Sequence, residues 1–381
     1  MPEHGSTRVA QMRPLIERLW RNDLPLAYWP LWMALTPLAA VYTGAVMMRA
    51  RYWRTMGHDA GLPTVSVGNL TVGGNGKTPF TLFLASRLLQ RGLRVGIASR
   101  GYGRHAKSGK AALVSDGRRI LMDVREAGDE PIMMAKRFPG PLAVARRRID
   151  AIHLLMALGP LDLVVLDDGF QHLRLKRDLN LLLLSAARGM SNGWVLPAGP
   201  LREPSSAIDR ADLIVLVSSF DLRESRALPA ELSAFASRPV LPATLRPRAL
   251  VQNARGTWRE NPLEIKGRRV LAVSGLADPS GFHAMIAGLG ADIAGALDYP
   301  DHYDYGPADW ENILAAAQGS DLVLTTEKDL VKLERFSPAG VALFALGIEV
   351  EMDHKDEARL IDMVIQCMRR WGDLPESCPV G

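Results

Sequence analysis

The sequence predicts an α/β protein: a mostly parallel sheet with helices on both faces, a second smaller α/β lobe, and an N-terminal hydrophobic helix. Three observations predict it. Short apolar strand-like runs alternate with helix-like patterns along most of the chain, the pattern of βαβ units. The first run ends in a glycine-rich loop opening a helix, Asn69-Leu70-Thr71-Val72-Gly73-Gly74-Asn75-Gly76-Lys77-Thr78. Ahead of it, Leu24 to Met48 carries no charged residue. At 381 residues the chain has room for two domains. The expected division is a membrane-associated segment over 1–57, a core over 58–225, a connector over 226–262 and a smaller lobe over 263–381.

The N-terminal apolar run is long enough to cross ~30 Å of hydrocarbon as a helix. It starts too late and runs too long for an ordinary cleaved signal peptide. Arg13, Arg18 and Arg21 precede it and Arg49, Arg51 and Arg54 follow, so loop charge gives no orientation. Pro25, Pro30 and Pro37 argue against one straight helix. Tyr28, Trp29, Trp32 and Tyr42 suit a water–lipid interface. A single span and a kinked segment lying in one leaflet both fit. A helix packed on the protein's own core is the third reading, disfavoured by length.

Pro63 to Gly68 reads as a strand, and Phe80, Leu82, Phe83, Leu84, Leu88 and Leu89 mark the helix after the loop. Strand, glycine-rich loop and helix is the context of a P-loop. Backbone N–H groups from Thr71 through Val72, Gly73, Gly74, Asn75 and Gly76 would face phosphate oxygens. Lys77 would reach the outer phosphates and the Thr78 hydroxyl would bind Mg²⁺. Thr71 stands where the general motif has its first glycine. Leu161 to Asp168 is an apolar strand ending in two aspartates, Asp167 and Asp168, the carboxylates a magnesium ion with phosphate ligands needs. His172, just beyond, reads as a structural residue.

Arg94 to Ser99 is the next strand, running into Arg100-Gly101-Tyr102-Gly103-Arg104. A basic loop at a strand end is where ligands sit in open α/β sheets. Further strands are expected at Pro141–Ala145, Asn180–Ser185 and Asp212–Val217, with a Pro/Gly-rich loop over 194–204. From about Ser225 to Pro262, scattered prolines and arginines read as a connector. Strands at Val270–Ser274, Ala294–Leu297, Leu322–Thr325 and Val341–Ile348, then an amphipathic helix over Asp356–Trp371, build the second lobe. The net charge of +5 fits an anionic partner. No nucleic acid is expected, because no recognition motif accompanies that charge. Cys367 and Cys378 have no metal-site spacing and imply no disulfide framework.

Several stretches in this order closely resemble the tetraacyldisaccharide 4'-kinase family of Gram-negative lipid A synthesis. They are VGNLTVGGNGKTPF, SRGYGR, GDEP, LDDGFQH, GPLREP, YPDHY and TTEKD. Thr71 is ordinary within that family. The resemblance implies ATP and Mg²⁺, an acylated glucosamine disaccharide 1-phosphate as acceptor, and contact with membrane lipid. It implies an inner-membrane enzyme with its catalytic domains on the cytoplasmic face and an active site in a cleft between lobes. It makes Asp129 of GDEP the catalytic base and His302 its partner. Arg202 and Glu203 become a nucleotide-side pair, and Asp167 and Asp168 the metal region. Arg100, with Tyr102 and Gln171, is expected to contact the acceptor. From the residues alone, Asp129 reads as a helix-starting acid and His302 as a turn residue. Two other activities fit the P-loop: a membrane-bound ATPase that drives assembly, and a nucleotide-switched binding module without turnover.

Overall fold

The computed structural model describes residues 16, 18–20, 24–74, 76–101, 110–219, 238–254, 256–336 and 341–372. Asn75 and Tyr102, expected at the phosphates and the acceptor, lie outside the described residues, as do 226–237 of the expected connector.

The apolar run forms one continuous helix, α1 (Trp29–Met56), after a single 3₁₀ turn at Leu26–Tyr28. The prolines do not break it. Pro25 precedes the turn, Pro30 sits at the helix start, where a missing N–H costs nothing, and Pro37 alone is interior. The helix also continues past Met48 through Arg49, Arg51 and Arg54. Its 28 residues extend ~42 Å at 1.5 Å each.

The core follows in order: β1 (Thr64–Asn69), α2 (Lys77–Gln90), β2 (Val95–Ser99), β3 (Ala112–Asp116), α3 (Val124–Ala127), α4 (Asp129–Arg137), β4 (Pro141–Val144), α5 (Arg148–Met156), β5 (Leu163–Leu166), β6 (Leu179–Ser185) and β7 (Leu213–Ser218). β1 lies parallel between β5 and β6, β2 between β5 and β4, and β3 closes the edge antiparallel to β4. β1, β2 and β5 are buried throughout. Covered on both faces, they read as continuous apolar runs rather than alternating ones. On one face Phe80, Leu84 and Leu88 of α2 and Met134 of α4 pack on Val67, Val95 and Val165. On the other, Ile152 and Leu155 of α5 meet Val164 and Leu166, and Ala39 of α1 meets Leu182 and Ile214.

The expected connector contains β8 (Val240–Ala254) and β9 (Thr257–Asn261). β8 starts in parallel beside β7, from Ile214↔Val240 to Ser218↔Thr244. It then runs antiparallel to β13 (Leu343–Glu351), from Thr244↔Glu351 to Val251↔Ala345. One long strand thus belongs to both lobes and fuses them into a single 13-stranded sheet. Pro247 pairs with Ile348, where the register shifts, one of the few places a strand tolerates proline. The second lobe is β10 (Arg269–Ser274), α6 (Ser280–Gly288), β11 (Asp292–Asp298), α7 (Pro307–Ala316), β12 (Leu322–Thr326), α8 (Glu327–Leu333), β13 and α9 (His354–Arg369). β10, β11, β12 and β13 are mutually parallel. The polar strand ends of the core, Asn69, Ser99 and Asp167, therefore collect on one edge, where such sheets bind ligands.

Candidate active site

Between β1 and α2 the chain turns at Gly73 (φ 100°) and Gly76 (φ 71°), a conformation open to glycine at no steric cost. Thr71 bridges to Leu201, and the Val72 N–H donates to the Pro200 carbonyl at 2.9 Å. Thr71 is thus held in strand pairing, and the turn that the general motif makes there falls later, at Gly73. Lys77 folds back, its Nζ 3.3 Å from the Gly73 carbonyl and 3.8 Å from Asp168 Oδ1. Thr78, second in α2, is half-buried.

The two aspartates after β5 have different surroundings. Asp167 is buried, its Oδ1 accepting from Thr81 Oγ1 at 3.2 Å and its Oδ2 from Ser99 Oγ at 3.1 Å. Burial, then the neighbouring Asp168, raises its pKa. Asp168 adopts a left-handed φ of 47° and turns toward Lys77 and Arg202, whose Nη1 donates to its carboxylate at 3.0 and 3.2 Å. Burial pushes its pKa up, but Lys77 and Arg202 together hold it below the usual carboxylate range. Arg202 and Glu203 point apart. Glu203 is 2% exposed and receives Arg210 Nη2 at 2.7 Å.

Beside Asp168 and Arg202 opens a cavity of about 590 Å³ lined by Arg49, Arg100, Arg146, Arg147 and Arg174, with Trp53, Gln171 and His172. Gln171 Nε2 donates to the Asn69 carbonyl at 2.7 Å, and Arg49 donates to the Gln171 carbonyl at 2.8 Å. Arg148 also lines the cavity, but its guanidinium donates to the carbonyls of Ala145 and Asp167 at 3.1 Å. His172 accepts the Arg148 N–H on Nε2 at 3.3 Å; burial and then Arg148 push its pKa down to about 3, keeping it neutral. Arg49, Trp53 and Arg174 had no motif to mark them. The basic flank of α1 was the only sequence signal for the first.

Asp129 begins α4 and is buried. His302 meets it from the second lobe, in the turn after β11, with φ 57°, a conformation costing about 1–2 kcal/mol for a residue with a Cβ. The turn is held there: Asp301 Oδ1 accepts the His302 N–H at 3.1 Å and Lys328 Nζ at 2.5 Å. His302 Nδ1 lies 3.1 Å from both oxygens of Asp129. Lys332 Nζ, from α8, is 3.2 Å from Asp129 Oδ2. Burial pushes the Asp129 carboxyl up, yet His302 and Lys332 outweigh it and hold its pKa far below the usual range. Asp129 in turn raises the pKa of His302. Lys332 was not singled out in the sequence; the Asp329-to-Lys332 spacing in DLVK was its one signal. The structure thus gathers Lys77, Thr78, Asp167, Asp168 and Arg202 at one end of the site and Asp129 with His302 at the other. Arg100 and Gln171 line the basic cavity.

A model of the tetraacyldisaccharide-1-P 4'-kinase family matches residues 31–366. A tetraacyldisaccharide 4'-kinase of Geobacter metallireducens is 40% identical over 344 residues, covering 87% of this chain and 97% of that protein. One of Anaeromyxobacter sp. strain K is 41% identical over 384 residues, covering 96% and 98%. A crystal structure of LpxK from Aquifex aeolicus in complex with ATP superposes with a TM-score of 0.71 at 31% identity, covering 89% of this chain and 99% of that one. With fold and sequence agreeing over nearly its whole length, the chain belongs to the tetraacyldisaccharide-1-P 4'-kinase family, kinases of lipid A biosynthesis.

Proposed function

We propose that the chain transfers the γ-phosphate of ATP to the 4'-hydroxyl of a tetraacylated glucosamine disaccharide 1-phosphate, working on a membrane surface. The observation that carries this reading is the basic cavity. Asp168, the partner of Lys77, and Arg202, which pairs with the same carboxylate, form one wall, and Arg49 and Trp53 of the apolar helix form another. A phosphate-bearing lipid entering along α1 meets arginines beside the nucleotide loop. Leu31, Met33, Leu38, Val41, Met47 and Met48 of α1 are exposed, an apolar surface suited to acyl chains.

The loop backbone, Lys77 and Arg202 would neutralise the nucleotide's outer phosphates, and Glu203, held by Arg210, would anchor the segment that carries Arg202. Thr78 and Asp168 are the magnesium ligands in this reading, with Asp167 behind them. Among the described residues no three His, Cys, Asp or Glu side chains converge on a cage. A carboxylate and a hydroxyl beside a phosphate loop are the donor set that a hydrated, phosphate-bound magnesium ion uses. When bound, the ion would offset charge on the transferring phosphoryl group. Asp129, oriented by His302, takes the acceptor's proton as the hydroxyl oxygen bonds to the γ-phosphorus and ADP departs. Arg100 and Gln171 hold the acceptor. The chain's place is the inner membrane, α1 in lipid and the catalytic lobes on the cytoplasmic side.

The test is transfer of label from γ-labelled ATP to the tetraacylated disaccharide 1-phosphate in detergent micelles with Mg²⁺. Labelled lipid is expected from wild type and none from Lys77→Ala. Free phosphate without labelled lipid would establish an ATPase instead. Removing residues 1–48 should release the protein from membranes; a truncated protein that stayed there would refute the anchor.

A further inference from the structure

Lys332 is a buried ammonium shared by two carboxylates. It lies 3.0 Å from Asp329 Oδ1 and 3.2 Å from Asp129 Oδ2, and its Nζ sits 5.4 Å from the Tyr305 ring centre. Asp329 is fully buried and already well held, accepting the Gly275 N–H at 2.8 Å and Thr326 Oγ1 at 2.6 Å. A salt bridge serving only the second lobe would need no more than the Asp329 pair, three residues away on the same helix. Lys332 instead also reaches Asp129 of the core. At Asp129, the Glu130 N–H at 2.9 Å and His302 occupy Oδ1, whereas Oδ2 meets His302 and Lys332.

We propose that Lys332 is a positioning residue for phosphoryl transfer, its ammonium reaching from the second lobe to fix the Asp129 carboxylate against His302. The inference rests on Asp129 and His302 being the acceptor-side pair. The charged and titratable groups facing Asp129 are Glu130 on its own helix, Lys328 and Lys332 on α8, and His302, with Asp301 behind it, on the turn. Tyr305 and Asp329 face Lys332 from the far side. Removing one positive charge from this set makes the Asp129–His302 pair bind its proton more tightly. The acid limb of the kcat profile must then move to higher pH.

The experiment measures kcat, the KM for ATP and the pH profile in full-chain protein, with the tetraacylated disaccharide 1-phosphate in micelles. The variants are Lys332→Met, Lys332→Arg, Lys332→Met with Asp329→Asn, and Asp129→Asn. Lys332→Met is expected to lower kcat roughly 10- to 100-fold, leave the KM for ATP unchanged, and shift the acid limb upward. Lys332→Arg should recover most of the rate. The double variant removes the buried Asp329 charge together with its partner; it should melt near wild type and keep the loss in kcat. A Lys332→Met enzyme with wild-type kcat overturns the proposal. So does a loss that the double variant cures, or one with an unmoved acid limb and no rescue by arginine, since either makes Lys332 a support of the fold alone. Asp129→Asn separates the two claims. If it is inactive while Lys332→Met is normal, only Lys332 loses its role; if it turns over like wild type, the base assignment falls and Lys332 with it.

Discussion

The two residue clusters that the proposed mechanism assigns to nucleotide and acceptor, the nucleotide end and the acceptor end, are built in opposite ways. Lys77, Thr78, Asp167, Asp168 and Arg202 all come from the core, and three of them form a closed charge set, with Asp168 between Lys77 at 3.8 Å and Arg202 at 3.0 Å. Asp129 comes from the core too, but its partners His302 and Lys332 belong to the second lobe. The first end is preorganised within one lobe. The second is divided between α4 of the core and the turn and α8 of the second lobe. Phosphate binding should therefore survive damage to the lobe interface, and proton removal should not.

The largest effect that tests this contrast is Lys77→Ala. It removes charge aimed at the phosphates, and turnover should fall roughly 10³-fold or more, with ATP affinity reduced as well. Asp129→Asn keeps the shape and loses the charge. It should lower kcat roughly 10²- to 10³-fold while ATP binding, read by titration calorimetry, stays as in wild type. Weakened ATP binding in Asp129→Asn would mean that the two ends are one electrostatic unit.

The contrast also explains what the sequence disclosed. The nucleotide end is legible because the chemistry of a phosphate loop fits within a few consecutive residues, and because a strand covered on both faces must be apolar up to its terminal aspartate. The acceptor end joins residues 173 apart for Asp129 and His302 and 203 apart for Asp129 and Lys332. No local pattern encodes such a pair, so Asp129 and His302 were readable only through the family resemblance, and Lys332 only as the i, i+3 partner of Asp329. β8 was concealed for a different reason. It changes neighbours midway, from β7 to β13, and carries Pro242, Arg246, Pro247 and Arg248, so neither alternation nor composition marks it as a strand. α1 misled in the other direction: Pro25 precedes it, Pro30 sits at its start and only Pro37 is interior.

A smaller effect is expected at the lobe interface itself. Arg137 Nη1, at the end of α4, donates to Glu327 Oε2 at 2.9 Å and to the Ile348 carbonyl at 2.7 Å. Glu327 is 5% exposed. Arg137→Ala leaves that carboxylate with the more distant Arg248 at 4.0 Å, and breaking such a pair costs about 3 kcal/mol. Urea unfolding should show that loss. The kcat of Arg137→Ala should fall in the direction of Asp129→Asn but by less, with ATP affinity preserved. A variant that lost ATP affinity and kept kcat would reverse the assignment of the two ends.

The smallest effect sits between them. Glu130 feels both ends: burial, then Asp167 and Asp129, push its carboxyl up to about 7 from an ordinary 4.5. Across that window the folded protein holds a proton that the unfolded chain has released, so stability falls as pH rises from about 4.5 to 7. The raised pKa of His302 acts in the same sense at higher pH: its contribution is complete below 6.5 and is lost as pH rises through the folded value. The depressed pKa of Asp129 acts at the other extreme, its contribution being lost only in strong acid. Glu130→Gln should therefore melt like wild type near pH 4.5 and at a higher temperature near pH 8. His302 contributes to the pH dependence that remains above 6.5. If Glu130→Gln gives no gain at pH 8, Glu130 is already ionised there at no cost, and the acceptor carboxylate and the metal-side carboxylate do not share it as an electrostatic neighbour.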